Sequence, residues 1–205
     1  MGFLSVLGYA QQVVKERVQP GERVIDATMG TGVDTLFLAR LTGPRGAVAA
    51  FDVQEGALEL TRKRLHRELG VEGSTHVSLY HTSHDAMHQA LNEEWHGSTA
   101  AIMFNLGYLP TDEADKQIMT VPESTLAALE TGLTLLRPGG VLSIVLYPGH
   151  AGGDDEANKV QLWAQSLPAR LGQAVIYRML QRPDAPYVIA VEKRKQPDSE
   201  FKNKV

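Results

Sequence analysis

Cysteine is absent from all 205 residues. That excludes disulfides and thiolate zinc sites and fits a cytoplasmic setting. Long apolar runs are missing as well, and none approaches the roughly 20 residues that a membrane helix needs. Residues Met1 to Leu7 lack the basic region and continuous apolar stretch of a signal peptide. Gly2 with Val6 at the sixth place also misses the myristoylation pattern, which wants Ser or Thr there. Positive charge is not in excess. A net charge of −4 argues against a generic nucleic-acid coat while leaving room for a local basic face. Internal repeats and low-complexity blocks are lacking, and nothing marks a domain boundary. What remains is one soluble domain over residues 1–205, with 43% hydrophobic residues and so enough for a substantial core.

Along the chain, apolar periodicity switches repeatedly between strand and helix. Leu4, Leu7, Val13 and Val14 fall near helical spacing before Pro20-Gly21. Strands are expected at 23–27, 47–51, 77–80, 100–104 and 141–147, with a closing pair at 173–179 and 187–192. Helices are expected at 34–41, 55–69, 123–136 and 155–167, and another opens at Ser83-His84-Asp85 with Ser83 as a cap. Arg137-Pro138-Gly139-Gly140 reads as a turn into the fifth strand, and the tail from Lys195 is polar. Alternation of this kind predicts an α/β fold: a mostly parallel sheet with helices on both faces, and a terminal hairpin that inserts one antiparallel strand. In such sheets ligands bind beyond the carboxyl ends of the strands.

The most informative stretch runs from Val24 to Thr35. A β-branched pair leads into Asp26, then Ala27-Thr28-Met29-Gly30-Thr31-Gly32-Val33, then Asp34-Thr35 at a helix start. Glycines let the backbone approach a ligand closely, and the helix aims free N–H groups at the loop. The dinucleotide pattern would need a third glycine where Thr35 stands. A pyrophosphate would also be repelled by Asp26 and Asp34. Flanking carboxylates suit a ligand that carries an ammonium and a sulfonium, as S-adenosylmethionine does. Asp52, 20 residues past Gly32, stands where an acid meets ribose hydroxyls. A glycine loop alone is as easily a surface turn; the loop, the offset acid and a third motif together are not.

That third motif follows the fourth strand: Asn105-Leu106-Gly107-Tyr108. Its logic is that of Asn-Pro-Pro-Tyr in amino-group methyltransferases. An amine nucleophile must keep its lone pair free while its N–H groups are held, and an Asn oxygen accepts such a bond without taking the proton. Tyr108 offers a π-face for a flat base. An alkylamine with a pKa of roughly 10 must lose a proton first, and His150, His84 or a water could take it. Asn105, Tyr108 and His150 are therefore the catalytic candidates. His81, His84 and His88 lack a carboxylate or thiolate at ligand spacing, so no metal is expected. Ser83 and His84 read as a polar lip beside the adenine and ribose. The basic cluster Arg62-Lys63-Arg64-Arg67 is an ordinary solvated helix face that could also touch phosphate, as could Lys193, Arg194 and Lys195.

Several of these motifs, with Phe51-Asp52-Val53-Gln54, Phe104-Asn105-Leu106-Gly107-Tyr108-Leu109-Pro110 and Tyr147-x-Gly149-His150, run through nearly the whole chain. Together they resemble the MnmM (YtqB) family, long labelled rRNA methylases. The resemblance implies a class I Rossmann-like methyltransferase with a seven-stranded sheet, using S-adenosylmethionine. Its implied substrate is the 5-aminomethyl nitrogen of the wobble uridine in tRNA, and hence a tRNA anticodon region as partner. It implies that the Gly30-Thr31-Gly32 loop holds the methionine part and that Asp52 and Gln54 hold the ribose and adenine side, with Asp26, Thr28, Met29, Asp34, Thr35 and Val53 as further cofactor-binding residues. Ser83, His84, Asn105 and Leu106 should lie close to the cofactor, and Tyr147 to His150 should frame the base. Relatives usually carry Asn at Thr31, and a shorter loop where this chain has Thr111 to Lys116. Lys116 is a candidate phosphate contact. Alternatives are methylation of a small amine or another RNA, a cofactor-holding module without turnover, and an NAD-dependent enzyme. A homodimer through a sheet edge or helix face is open.

Overall fold

The computed structural model describes residues 2–107, 120–149, 152–182 and 184–194. Seven strands form one sheet: β1 (Arg23–Asp26), β2 (Ala47–Asp52), β3 (Val77–His81), β4 (Thr99–Asn105), β5 (Leu136–Leu146), β6 (Gly172–Tyr177) and β7 (Tyr187–Lys193). Their order is β3-β2-β1-β4-β5-β7-β6. The first five run parallel, and only β7 is antiparallel to both its neighbours. The expected hairpin and its single reversed strand are therefore present.

Strands buried on both faces need apolar side chains in unbroken runs, not in alternation. Ala100-Ala101-Ile102-Met103-Phe104 in β4 is such a run, and all five residues are buried. One layer of helices covers each face. α1 (Val6–Lys15), α2 (Val33–Thr42) and α3 (Glu55–Gly73) enclose a cluster that includes Val14, Leu38, Val48 and Leu65. α4 (Met87–Ala90), α5 (Pro122–Leu135) and α6 (Gly153–Ser166) cover the other face, around Phe51, Phe104, Leu129 and Val160.

Two local expectations change. Arg137-Pro138-Gly139-Gly140 is part of β5 and not a free turn. Thr99 pairs with Leu136 while Ala101 pairs with Val141, so the extra residues form a bulge. Gly140 is needed there because a Cβ would stand 2.9–3.0 Å from the carbonyls of Arg137, Thr99 and Ala100. Ser83 makes no capping bond with its side chain; a 3-10 turn over His84–Ala86 and the short α4 follow it.

Register puts the motifs side by side. Asp26 pairs with Ala50 on one side and Met103 on the other. Asp52 and Asn105 therefore both lie two residues beyond it at the same sheet end. α1 is fixed to the opposite flank of that end by long-range contacts. Ser143 Oγ donates to Ala10 O at 3.2 Å, Tyr9 stacks on Tyr177 at 4.1 Å, and Tyr177 Oη donates to Leu4 O at 2.7 Å.

Candidate functional site

At the carboxyl ends of β1, β2, β4 and β5 lies a cavity of about 700 Å³. The β1–α2 loop forms its floor. Asp26 is buried behind that loop, where Oδ1 accepts Thr28 N–H at 3.2 Å and Oδ2 accepts Thr35 Oγ1–H at 2.6 Å. Gly32 opens α2 at φ 78°, and a Cβ there would stand 2.8–3.0 Å from Thr61 of α3. Close approach is thus what the second glycine permits. Thr61 Oγ1 donates to Gly30 O at 3.2 Å, and Arg64 Nε donates to Thr31 O at 2.7 Å. The Arg64 side chain is accordingly half-buried against the loop, unlike the solvated cluster the sequence suggested. Arg67 bonds Glu68 and Lys63 pairs with Glu59, so that helix face is partly neutralised.

Asp52 closes the loop from the next strand. Its Oδ2 accepts Gly30 N–H at 3.1 Å and its Oδ1 accepts Gln54 N–H at 2.9 Å. A carboxylate has further acceptor sites, so a diol could still be held there. Asp34, in the first turn of α2, accepts a bond from Gln11 Nε2 at 2.9 Å. Gln11 and Leu7 bring α1 into the cavity wall. Nothing in local sequence marked either residue, because the contact joins segments 23 positions apart.

The electrostatics are one-sided. Burial, then the neighbouring Asp34, push the Asp26 carboxyl up to about 7. Burial raises Asp34 and Asp52 as well; Gln11 opposes the first rise, and backbone N–H groups of Gln54 and Gly30 oppose the second. None of the three pairs with a described lysine or arginine. Three carboxylates around a glycine loop are a site that asks for positive charge.

Asn105 leaves β4 with its N–H donating to Thr28 Oγ1 at 2.7 Å, and Leu106 N–H donates to Val145 O at 3.0 Å. Burial raises the Tyr147 phenol, a hydrogen bond from the Asn105 side chain opposes that, and Asp34 adds to the rise. Asn105 Oδ1 is buried with no partner among the described residues. His84 is buried too; desolvation lowers its pKa and keeps the ring neutral, and Nε2 has no described partner.

Of the residues the sequence singled out, Thr28, Met29, Gly30, Thr31, Asp34, Asp52, Val53, Gln54, Ser83, His84, Asn105 and Leu106 line this one cavity, as does Tyr147. Asp26, Gly32 and Thr35 stand behind it and shape the loop. Tyr108, His150 and the Thr111–Lys116 loop lie outside the described residues. Lys193 and Arg194 sit at the far end of the sheet, because β7 runs antiparallel; Lys193 Nζ donates to Leu136 O and Arg194 to Gln173. His81 bonds Val53 O, and among the described residues no group of three His, Asp or Glu could hold a metal.

Sheet order, glycine loop, offset acid and post-β4 asparagine define a class I methyltransferase fold. A family model described as "Putative rRNA methylase" matches residues 48–193, and the chain belongs to this family. Among relatives, a chloroplastic Arabidopsis thaliana protein named tRNA (mnm5s2U34)-methyltransferase is 35% identical over 190 residues, covering 90% of this chain and 68% of the relative. A Clostridium thermocellum structure described as a "putative rRNA-methylase" superposes with TM-score 0.86 at 32% identity, covering 94% of this chain and all of the other. A Streptococcus mutans "putative methyltransferase", solved in complex with SAH, superposes with TM-score 0.81 at 31% identity, covering 94% and 99%. The family resemblance carried by the motifs is borne out.

Proposed function

We propose that this chain is an S-adenosylmethionine-dependent N-methyltransferase that acts on the 5-aminomethyl group of the wobble uridine in tRNA. The observation that carries the reading is the pair of half-buried carboxylates Asp34 and Asp52, unpaired with any described lysine or arginine, lining one cavity with the unpartnered Asn105 oxygen. S-adenosylmethionine fits the residues present. Its ammonium answers the acidic floor, its ribose hydroxyls suit Asp52, and Gly32 leaves room for the close approach of the loop. When bound, it supplies an electrophilic methyl group on a sulfonium.

The chain's own residues supply position. Asn105 Oδ1 would accept one N–H of the substrate amine, which aligns the lone pair with the donor carbon; alignment can supply much of the acceleration. Tyr147 lines the same cavity beside Asn105 and would orient the amide from its N–H side, leaving the oxygen for the substrate. Thr28 fixes the Asn105 backbone. Tyr108 and His150, which lie outside the described residues, belong to this reading as base-stacking and proton-accepting candidates. So do contact with the anticodon region, a single methyltransferase domain, a cytoplasmic setting and self-association at the exposed β6 edge. Among the described residues no helix is long and apolar enough to cross a membrane.

The name of the Arabidopsis relative supports the substrate. Nucleoside mass spectrometry of tRNA from cells lacking the protein tests it. Unmethylated 5-aminomethyluridine should accumulate, and an unchanged nucleoside profile would shift the reading to another RNA or a small amine.

A further inference from the structure

Glu156 is buried, 4% exposed, in the first turn of α6, and no described lysine or arginine pairs with it. A carboxylate in that position is costly unless donors satisfy it. Two hydroxyls do: Thr120 Oγ1 donates to Oε2 at 2.7 Å and Thr125 Oγ1 donates to Oε1 at 2.7 Å. Thr125 itself lies in the first turn of α5, so the positive ends of two helices converge on the charge.

The bonds continue toward the site. A threonine hydroxyl has one proton, and Thr120 gives it to Glu156. Its oxygen can then only accept, and it accepts Gly107 N–H at 3.0 Å. Gly107 O in turn accepts Thr120 N–H at 3.0 Å. A backbone N–H cannot accept, so the polarity is fixed from Gly107 through Thr120 to Glu156. Both Gly107 and Thr120 line the cavity, and Gly107 is two residues past Asn105. Thr28 and Val145 hold the Asn105-Leu106 backbone from the other side.

We infer that Glu156 is a positioning residue for methyl transfer. Through Thr120 it fixes the Asn105-Leu106-Gly107 turn, and with it the direction from which Asn105 Oδ1 meets the acceptor amine. The inference rests on the methyltransferase reading above. Glu156 does not line the cavity; an apolar residue of similar volume would fill its space but leave the Thr120 and Thr125 hydroxyls without their acceptor.

The test uses the full-length protein with Glu156→Leu, Glu156→Gln, Thr120→Val and Thr120→Ser. Three quantities are measured: S-adenosylmethionine affinity by calorimetry, kcat and KM on unmethylated tRNA, and exchange of the Gly107 amide proton by NMR. Glu156→Leu and Thr120→Val should leave cofactor affinity unchanged, lower kcat by about tenfold to a hundredfold, and speed Gly107 exchange. Glu156→Gln should restore most of both, since its oxygen still accepts from Thr120 and its amide can donate to Thr125. Thr120→Ser should do likewise. Unchanged kcat and exchange in folded Glu156→Leu and Thr120→Val overturn the inference. So does a loss of cofactor affinity that matches the loss of kcat, which marks a merely structural role. If Glu156→Leu fails to fold, Thr120→Val, equal in volume to the native residue, carries the test. Should the wild-type chain not methylate tRNA at all, the substrate reading fails, while Gly107 exchange still decides whether the clamp exists.

Discussion

Replacing Gly32 with alanine tests the floor of the site most directly. At φ 78° an alanine is in the left-handed region, at roughly 1–2 kcal/mol. Its Cβ would meet Thr61 at 2.8 Å (Oγ1), 2.9 Å (Cα) and 3.0 Å (Cβ), against an ordinary contact of 3.4 Å or more. Thr61 is fully buried and part of α3, so it cannot swing away, and the loop must rise by about half an ångström. Overpacking of this kind costs about 1–3 kcal/mol. The two effects together come to about 3 kcal/mol, or a fall in Tm of roughly 6–12 °C for a chain of this size. The same shift stretches the Thr61–Gly30 and Gly30–Asp52 bonds, so affinity for S-adenosylmethionine should weaken about tenfold or more. Thermal melts and calorimetry read both numbers. Adding Thr61→Ala should recover only part, because Cα and Cβ of residue 61 remain. A Gly32→Ala protein with wild-type Tm and affinity would refute the close-approach argument.

Other perturbations separate binding from chemistry. Asp52→Ala removes the acceptor for Gly30 and Gln54 and the proposed ribose contact; calorimetry should find cofactor binding lost, and retained affinity would end that assignment. Asn105→Ala should keep cofactor affinity while kcat on tRNA falls about a hundredfold, and normal turnover would remove Asn105 from the mechanism. The pH dependence follows from Asp26, pushed up to about 7 from an ordinary 3.8 by burial first and by Asp34 next. Between those values the folded chain holds a proton that the unfolded chain has released. Its stabilising contribution is full below about pH 4 and is lost as pH rises through about 7, at up to about 1.4 kcal/mol per pH unit. Denaturant melts of the ligand-free protein should show this decline, and Asp26→Asn should flatten it; equal slopes in the two proteins count against it.

The sequence carried the local physics: which stretches alternate, where glycine lets the loop turn, and which acids and amide follow each strand. The number and chain order of the strands and the closing hairpin were legible, because alternating apolar runs and the turns between them are read from residues near one another in the chain. The turn expected at Arg137–Gly140 was not, since only its pairing with Thr99 and Ala101 makes it a bulge. The expected solvated role of Arg64 failed for a similar reason, because its partner is the Thr31 carbonyl 33 residues away.

What tertiary structure alone decided is which groups meet. Asp26 went behind the loop and Asp34 and Asp52 to its face; α1 delivered Gln11 and Leu7 to the wall. Glu156 was joined to Gly107 through Thr120 across 36 residues and a second bond. Such pairings depend on packing and burial between distant segments. Burial also raises the pKa of Asp26, Asp34 and Asp52, and no window of neighbouring residues contains that information.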